Sequence, residues 1–540
     1  MGWRYWHPEH DISKRIAQPP TQTRWRHLFD LRRKRDEAAL ATFNAMLLTQ
    51  QHRQTRIEEL TELRYDIKDL MLKLERDTPD HADDVLARRY YARIVRSKIH
   101  REMAIKQWDK LSDSRMVALD AALGAYDLFA LSGEPADLDD LDSELDRHAT
   151  AVRQSTPNFD RMSTRQKAIE IATYLRSENL LGNDQLGGYH ALRNNYITLA
   201  LMRTPHRSLP LQSAAIYCGV ARRLGVDARP SNFPHHVYVV VQPPRHEDLE
   251  GRHKSPDLSE IAHDYMFMDP WRTNLEIDRA QLIATLNQMG TTPAHYTAYL
   301  SPATTADTVL RAGRNIVTSV TELRNLPRVA AERRNGNNVD IECAWYSMLW
   351  ATMIIAYGNR DITLQRQRSC LPYLMEHYQV HFPEDLGLLE RYIAPMFVGT
   401  EDHETLLHVI DAARRDDNNM KPPSPRSSAN AHVTYKVGHH FEHKRYHYKG
   451  VIVGWTARCE AREQWIAQMR VNELPRGREQ PFYHVLADDK SVRYVAQENI
   501  VLLSAVPETK LMEEAGRYFK RWDSEHALFV SNIKDEYPDD

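Results

Sequence analysis

Residues Tyr435 to Leu502 constrain this chain more than any other stretch, because short β-rich runs there are broken repeatedly by glycine, proline and asparagine. The runs are Tyr435-Lys436-Val437-Gly438-His439-His440-Phe441-Glu442-His443 and Tyr448-Lys449-Gly450-Val451-Ile452-Val453-Gly454-Trp455. Then come Gln480-Pro481-Phe482-Tyr483-His484-Val485-Leu486 and Tyr494-Val495-Ala496-Gln497-Glu498-Asn499-Ile500. Runs of this kind predict a small antiparallel β-barrel over 433–504. Just before it, Asp416 to Ala431 carries Pro422-Pro423-Ser424-Pro425 and Ser427-Ser428, a composition that reads as a linker over 416–432. The barrel is therefore a separate C-terminal domain. Beyond it, 505–540 reads as a charged tail with one helix near Glu508 to Trp522.

At 540 residues the chain is too long for one hydrophobic core, so several domains are expected. Its 42% hydrophobic and 27% charged residues describe an ordinary globular protein. A net charge of −3 gives no global attraction to nucleic acid or membrane, so any such binding must be local. The 4 cysteines, Cys218, Cys343, Cys370 and Cys459, stand far apart, which suggests neither a disulfide framework nor a zinc knuckle. A reducing compartment, cytoplasm or nucleus, is expected. No apolar run has transmembrane length, and no membrane partner is expected.

The rest of the chain divides by periodicity into a multidomain α+β fold. Residues 1–150 read as helical. Leu60, Leu63, Ile67, Leu70 and Leu74 recur at helical steps, and Val85, Leu86, Tyr90, Ile94 and Val95 repeat the pattern. These stripes are bundle faces rather than ligand sites. An acidic run from Glu134 to Asp146 reads as a solvated linker or helix start. Residues 151–304 turn to mixed α/β: a helix over Ser208 to Leu224 stopped by Gly225, then strands at Val237–Val241 and Tyr265–Met268. Residues 305–415 return to helix, with Trp345, Met348, Leu349, Met353 and Ile354 on one stripe.

Two resemblances give these domains an expected chemistry. The motifs over 435–502 resemble the YccV/HspQ family, the hemimethylated-DNA-binding domain. The order of the 208–224 helix, Leu224-Gly225-Val226-Asp227-Ala228-Arg229, Asn232-Phe233-Pro234-His235-His236 and Asp269-Pro270 resembles the transglutaminase-like core. In that family a cysteine in the first turn of the helix is the nucleophile. A helix N-terminus lowers a thiol's pKa, and a histidine oriented by a carboxylate completes the activation. The stretch here is Ser208-Leu209-Pro210-Leu211-Gln212-Ser213, which holds no thiol. Cys218 lies eight residues beyond Pro210, roughly 12 Å along a helix axis, in an apolar run that suits a buried structural cysteine. The core is thus expected to be degenerate. It has no catalytic residues, His236 and Asp269 are vestigial candidates, and a serine arrangement through Ser213 is a remote alternative.

Trp3-Arg4-Tyr5-Trp6-His7-Pro8-Glu9-His10, Trp25-Arg26-His27-Leu28-Phe29 and Arg32-Arg33 resemble the stretch following the F-box in a eukaryotic family. That family joins an F-box, a helical layer, a transglutaminase-like core and a YccV/HspQ-like tail. The resemblance implies a substrate-recognition subunit of an SCF ubiquitin ligase, with the Skp adaptor and cullin as partners through the F-box and a protein substrate through the remainder. No Leu-Pro start precedes Trp3, so the F-box is expected to be missing or vestigial here.

The barrel's own residues leave DNA and protein open. Basic side chains only modestly outnumber acidic ones there, whereas phosphate contacts dominate a DNA binder's affinity. Lys444, Arg445, Tyr446 and Lys449 cluster charge with aromatics, and Tyr483 and His484 add large side chains. These six are the candidate partner- or DNA-binding residues, against the plainer reading of a solvated rim over core aromatics. His439, His440, His443 and His447 fit no zinc spacing, so no metal or other cofactor is expected. Gly438, Gly450 and Gly454 suit turns and bulges. The expected function is a non-catalytic adaptor. The alternatives are a DNA reader acting through the barrel and a residual transglutaminase-like hydrolase.

Overall fold

The computed structural model describes residues 25–112, 117–131, 137–182, 188–253, 265–327, 339–356 and 358–540. The motif at Trp3–His10 and part of the polar excursion after Pro243 lie outside them. The chain forms two compact units, one of His100–His381 and one of the residues up to Ile99 together with Phe382–Asp540.

In the His100–His381 unit the helix Pro210–Arg223 begins with proline at its first position, where a missing N–H costs nothing, and ends in Arg222 and Arg223. Gly225 follows at φ 77°, the left-handed conformation that stops a helix and favours glycine. The helix is buried on every side from Pro210 to Ala221. Behind it lies a four-stranded sheet in the order β1 (Asp227–Pro230), β2 (Val239–Gln242), β3 (Met266–Met268), β4 (Glu276–Ile277), antiparallel throughout. Val240 joins Phe233, Phe267, Leu282, Leu286 and Leu300 in one cluster. Val239 and Val241, on the opposite face by the period of two, are equally buried, so β2 is covered on both faces. Long helices flank this core: Leu119–Ala130, Leu138–Ser155, Thr164–Ser177, Thr305–Arg324, Ile341–Ile354 and Arg360–His381. The 208–224 helix and both expected strands are present with shifted ends, and β1 and β4 are additional strands.

The other unit holds the C-terminal sheet, of five antiparallel strands in the order β8 (Val492–Ala496), β7 (Phe482–Ala487), β6 (Lys449–Thr456), β5 (His440–His443), β9 (Ile500–Leu502). A bulge between Ile452 and Gly454 interrupts β6, and a Cβ on Gly454 would stand 2.6 Å from the Tyr537 hydroxyl. Residues 505–540, read from sequence as a tail, belong to this sheet's core. The helix Thr509–Ala515 and a hairpin of β10 (Phe519–Asp523) and β11 (Leu528–Ser531) bring Leu511, Ala515, Phe519, Phe529, Ile533 and Tyr537 against Phe441, Val451, Trp455 and Val485. The helix expected to Trp522 stops at Ala515 because the following apolar residues are placed in the hairpin. The proposed linker is also engaged. Arg426 binds the Asp540 carboxylate at 2.7 Å and lies over the Trp455 ring, and helix Glu401–Asn418 runs into its first residues.

The N-terminal stripe divides where Arg64 takes φ 55°: helices Arg53–Glu62 and Lys68–Asp77 are separated by a tight turn, not continuous. His52, before the first of these, offers no side-chain cap. Asp417 supplies it from far along the chain, accepting the N–H groups of Gln54 and Thr55 at 2.7 and 2.9 Å.

Candidate functional site

His236 and Asp269, the pair singled out by the transglutaminase-like resemblance, meet. The Pro234-His235-His236 loop, in which His235 sits at φ 62°, brings His236 Nε2 to 2.9 Å from Asp269 Oδ2. A carboxylate only accepts, so Nε2 carries the proton and Nδ1 is left as the basic nitrogen. Tyr238 and Trp271 pack on the ring at 4.7 and 6.0 Å, and Arg311 donates to the His236 carbonyl at 3.0 Å. Asp269 is buried and also accepts from Arg272 at 3.3 Å. A histidine held this firmly by a buried carboxylate has the orientation of a general base.

The nucleophile position does not complete it. Ser208 and Ser213 are both fully buried and hydrogen-bonded to each other at 2.6 Å, and Ser213 Oγ also accepts the Gly182 N–H at 3.1 Å. Trp271 Nε1 donates to the Ser208 carbonyl at 2.9 Å. Neither serine bonds His236. Cys218 is buried within the helix, and burial, followed by the charges of Asp120 and Asp227, pushes its thiol far up. Burial likewise raises Cys370 to about 12. A thiol held protonated is a poor nucleophile.

Beside the His235 loop lies a cleft of about 480 Å³, lined among others by Pro234, His235, Asp307, Arg311, Arg314 and Asn315. Burial, then the neighbouring Arg314 charge, lowers the pKa of Arg311, and Tyr189 offsets this only in part. Sequence reading missed these arginines. Their only signal was a one-turn spacing on helix Thr305–Arg324, which charged helix faces commonly show.

In the C-terminal sheet the six candidates separate. Lys444, Arg445 and Tyr446 stand exposed on the turn between β5 and β6, with Arg445 over the Tyr446 ring at 5.4 Å. Lys449 is paired with Glu508 at 2.8 Å, which cancels its charge. Tyr483 is not a surface residue. It is 0% exposed, its hydroxyl accepts the Tyr435 N–H at 3.1 Å and donates to Gln497 at 2.9 Å, and burial raises its pKa to about 12. The alternation along β7 that buries Tyr483 turns His484 outward, where it stacks on Tyr494 at 4.7 Å. Among the histidines of this region, His440 Nδ1 donates to the Ala505 carbonyl, and His443 Nδ1 accepts from Arg445 and Tyr446 N–H. These hydrogen bonds hold the two rings in place.

One group of metal-ligating side chains does converge among the described residues: Glu342, His377 and His381. None of the three stands out in the sequence, since Glu342 lies far along the chain from the two histidines.

Comparison with known proteins matches residues 139–314 to the transglutaminase-like superfamily and residues 433–526 to the family described as hemimethylated DNA-binding protein YccV like. The human F-box only protein 21 is 24% identical over 380 residues, covering 69% of this chain and 55% of that protein. The Mus musculus protein of the same name is likewise 24% identical, over 69% of this chain and 56% of its own length. The chain thus spans about half the length of the curated relatives it matches. No solved structure matches it. The chain therefore combines a transglutaminase-like domain with a YccV-like domain and is homologous, over most of its length, to F-box only protein 21.

Proposed function

We propose that this protein is a non-catalytic substrate-recognition subunit whose transglutaminase-like core binds a protein partner instead of modifying it. One observation carries the reading: His236 is oriented by Asp269 as a base, yet among the described residues no cysteine or serine bonds its ring. The partner's acidic segment docks in the cleft at Arg311 and Arg314, where two guanidinium groups lie in one concavity. Homology to F-box only protein 21 supports a link to the Skp adaptor and cullin, and the protein works in the cytoplasm or nucleus on this reading.

The test is a thiol- and serine-directed probe applied to the folded chain, with mass spectrometry of the labelled positions. Cys343 and Cys459 are partly exposed and label whatever His236 does. The informative quantity is the part of the labelling that depends on His236. The adaptor reading expects none. Labelling at Ser208, Ser213 or Cys218 that disappears in His236→Ala would restore the hydrolase reading. In parallel, Arg314→Glu, on an exposed side chain, is expected to release proteins that co-purify with the native chain.

A second reading, DNA binding, is favoured by the exposed Lys444-Arg445-Tyr446 turn and the YccV-like match. It expects the full chain to bind hemimethylated duplex more tightly than unmethylated duplex, with an affinity that falls steeply as salt rises and with Lys444→Glu. Equal, weak binding to both duplexes leaves protein recognition.

A further inference from the structure

Beyond residue 314, where the transglutaminase-like match ends, two neighbouring helices bring together three side chains that the proposed function does not use. Glu342 stands in the first turn of helix Ile341–Ile354. That turn is fixed by Asp340, whose Oδ1 accepts the N–H groups of Glu342 and Cys343 at 2.9 Å each. His377 and His381 are four residues apart near the end of helix Arg360–His381, so they share a face. Glu342 Oε2 is 2.8 Å from His377 Nε2 and 3.7 Å from His381 Nε2, and all three ligand atoms lie within 4.8 Å of one another. Ligands bound tetrahedrally at about 2.0–2.2 Å stand roughly 3.3 Å apart, which falls between these two separations.

The surroundings suit a ligand set. The His377 ring is held by the rings of Tyr346 and Trp345, both at 6.4 Å. Arg324 binds Glu342 Oε2 at 2.8 Å while its guanidinium lies over Trp345. Moved to the second carboxylate oxygen, it would become the outer donor that commonly steadies a ligating carboxylate. Side chains of Glu342 and His381 are 36% and 31% exposed, which leaves room for a water.

We propose that Glu342, His377 and His381 bind a divalent transition-metal ion of the zinc class, with water as the fourth ligand. Two imidazoles and one carboxylate also suit iron(II), so the ions are compared directly.

The test strips the full-length chain with a chelator and titrates it with zinc, and separately with iron(II) under reducing conditions, against a chromophoric indicator. The expected result is uptake of one ion per chain. Outer-shell changes alone cost metal affinity about 10–100-fold, so removing a ligand in Glu342→Gln or His381→Asn should cost at least that. Circular dichroism and melting establish that the variants fold. Cys343→Ser should leave uptake intact, and the cobalt-loaded protein should lack the thiolate charge-transfer band. Three results would overturn the proposal: no stoichiometric uptake by the folded chain, uptake retained in both ligand variants, or uptake lost in Cys343→Ser. The cluster would then be an ion-pair network only.

Discussion

Asp127 shows how far one buried group departs from its ordinary chemistry. It lies in helix Leu119–Ala130 and accepts the Thr198 N–H at 2.7 Å and the Thr198 hydroxyl, while its buried Oδ1 has no hydrogen-bond partner among the described residues. Burial raises its pKa to about 7, and the bonds from Thr198 only partly offset that rise. Because the folded value lies above the unfolded one, the native state holds the extra proton. Stability from this group is full below the ordinary carboxylate range and is lost as pH rises toward 7. Asp127→Asn keeps an acceptor for Thr198 and removes the charge. Its melting temperature should therefore be flat across that window where the native chain's declines, as thermal unfolding at several pH values would reveal. A parallel decline in both proteins would refute the assignment. Nothing in the sequence around Asp127 announced this, since burial is a property of the packed helices, not of the residue.

At the scale of elements, the decisive feature is how the C-terminal hairpin joins the sheet. Gly438 at φ 99° exchanges backbone bonds with both sides, its N–H donating to Ile452 at 2.8 Å and its carbonyl accepting from Phe529 N–H at 3.0 Å. A Cβ there would stand 2.3 Å from the Phe529 carbonyl. Gly438→Ala is thus expected to destabilise the unit by roughly 2–5 kcal/mol through backbone strain and overpacking. Denaturant unfolding followed by the fluorescence of Trp455 and Trp522 would measure it. A loss below about 0.5 kcal/mol, the size of an ordinary surface substitution, would show that the hairpin is only loosely attached. A turn or bulge at this glycine was legible from its place inside a β-rich run. Its partner in the hairpin was not.

Over the whole molecule, the same hairpin decides where the C-terminal domain ends. A chain ending at Ser504 would strip Phe441, Val451, Trp455 and Val485 of Leu511, Phe519, Phe529, Ile533 and Tyr537. Truncation after Ser504 should therefore give an aggregating product that binds a hydrophobic dye, whereas the full chain stays soluble. A soluble, cooperatively melting truncation would refute this. The central helix with its Gly225 stop, the valine-rich strand β2 and the short C-terminal strands could be read from the sequence, because hydrophobic period and turn residues are local, whereas His236 and Asp269 were singled out by the order of motifs. What only tertiary structure decided depends on contacts between residues distant in the chain. It placed Tyr483 inside by the register of β7, neutralised Lys449 with Glu508, and capped Arg53–Glu62 with Asp417. It also turned a charged tail into core and set Glu342 beside two histidines. Periodicity reports which face of an element is apolar, but the partner that covers that face is chosen by packing.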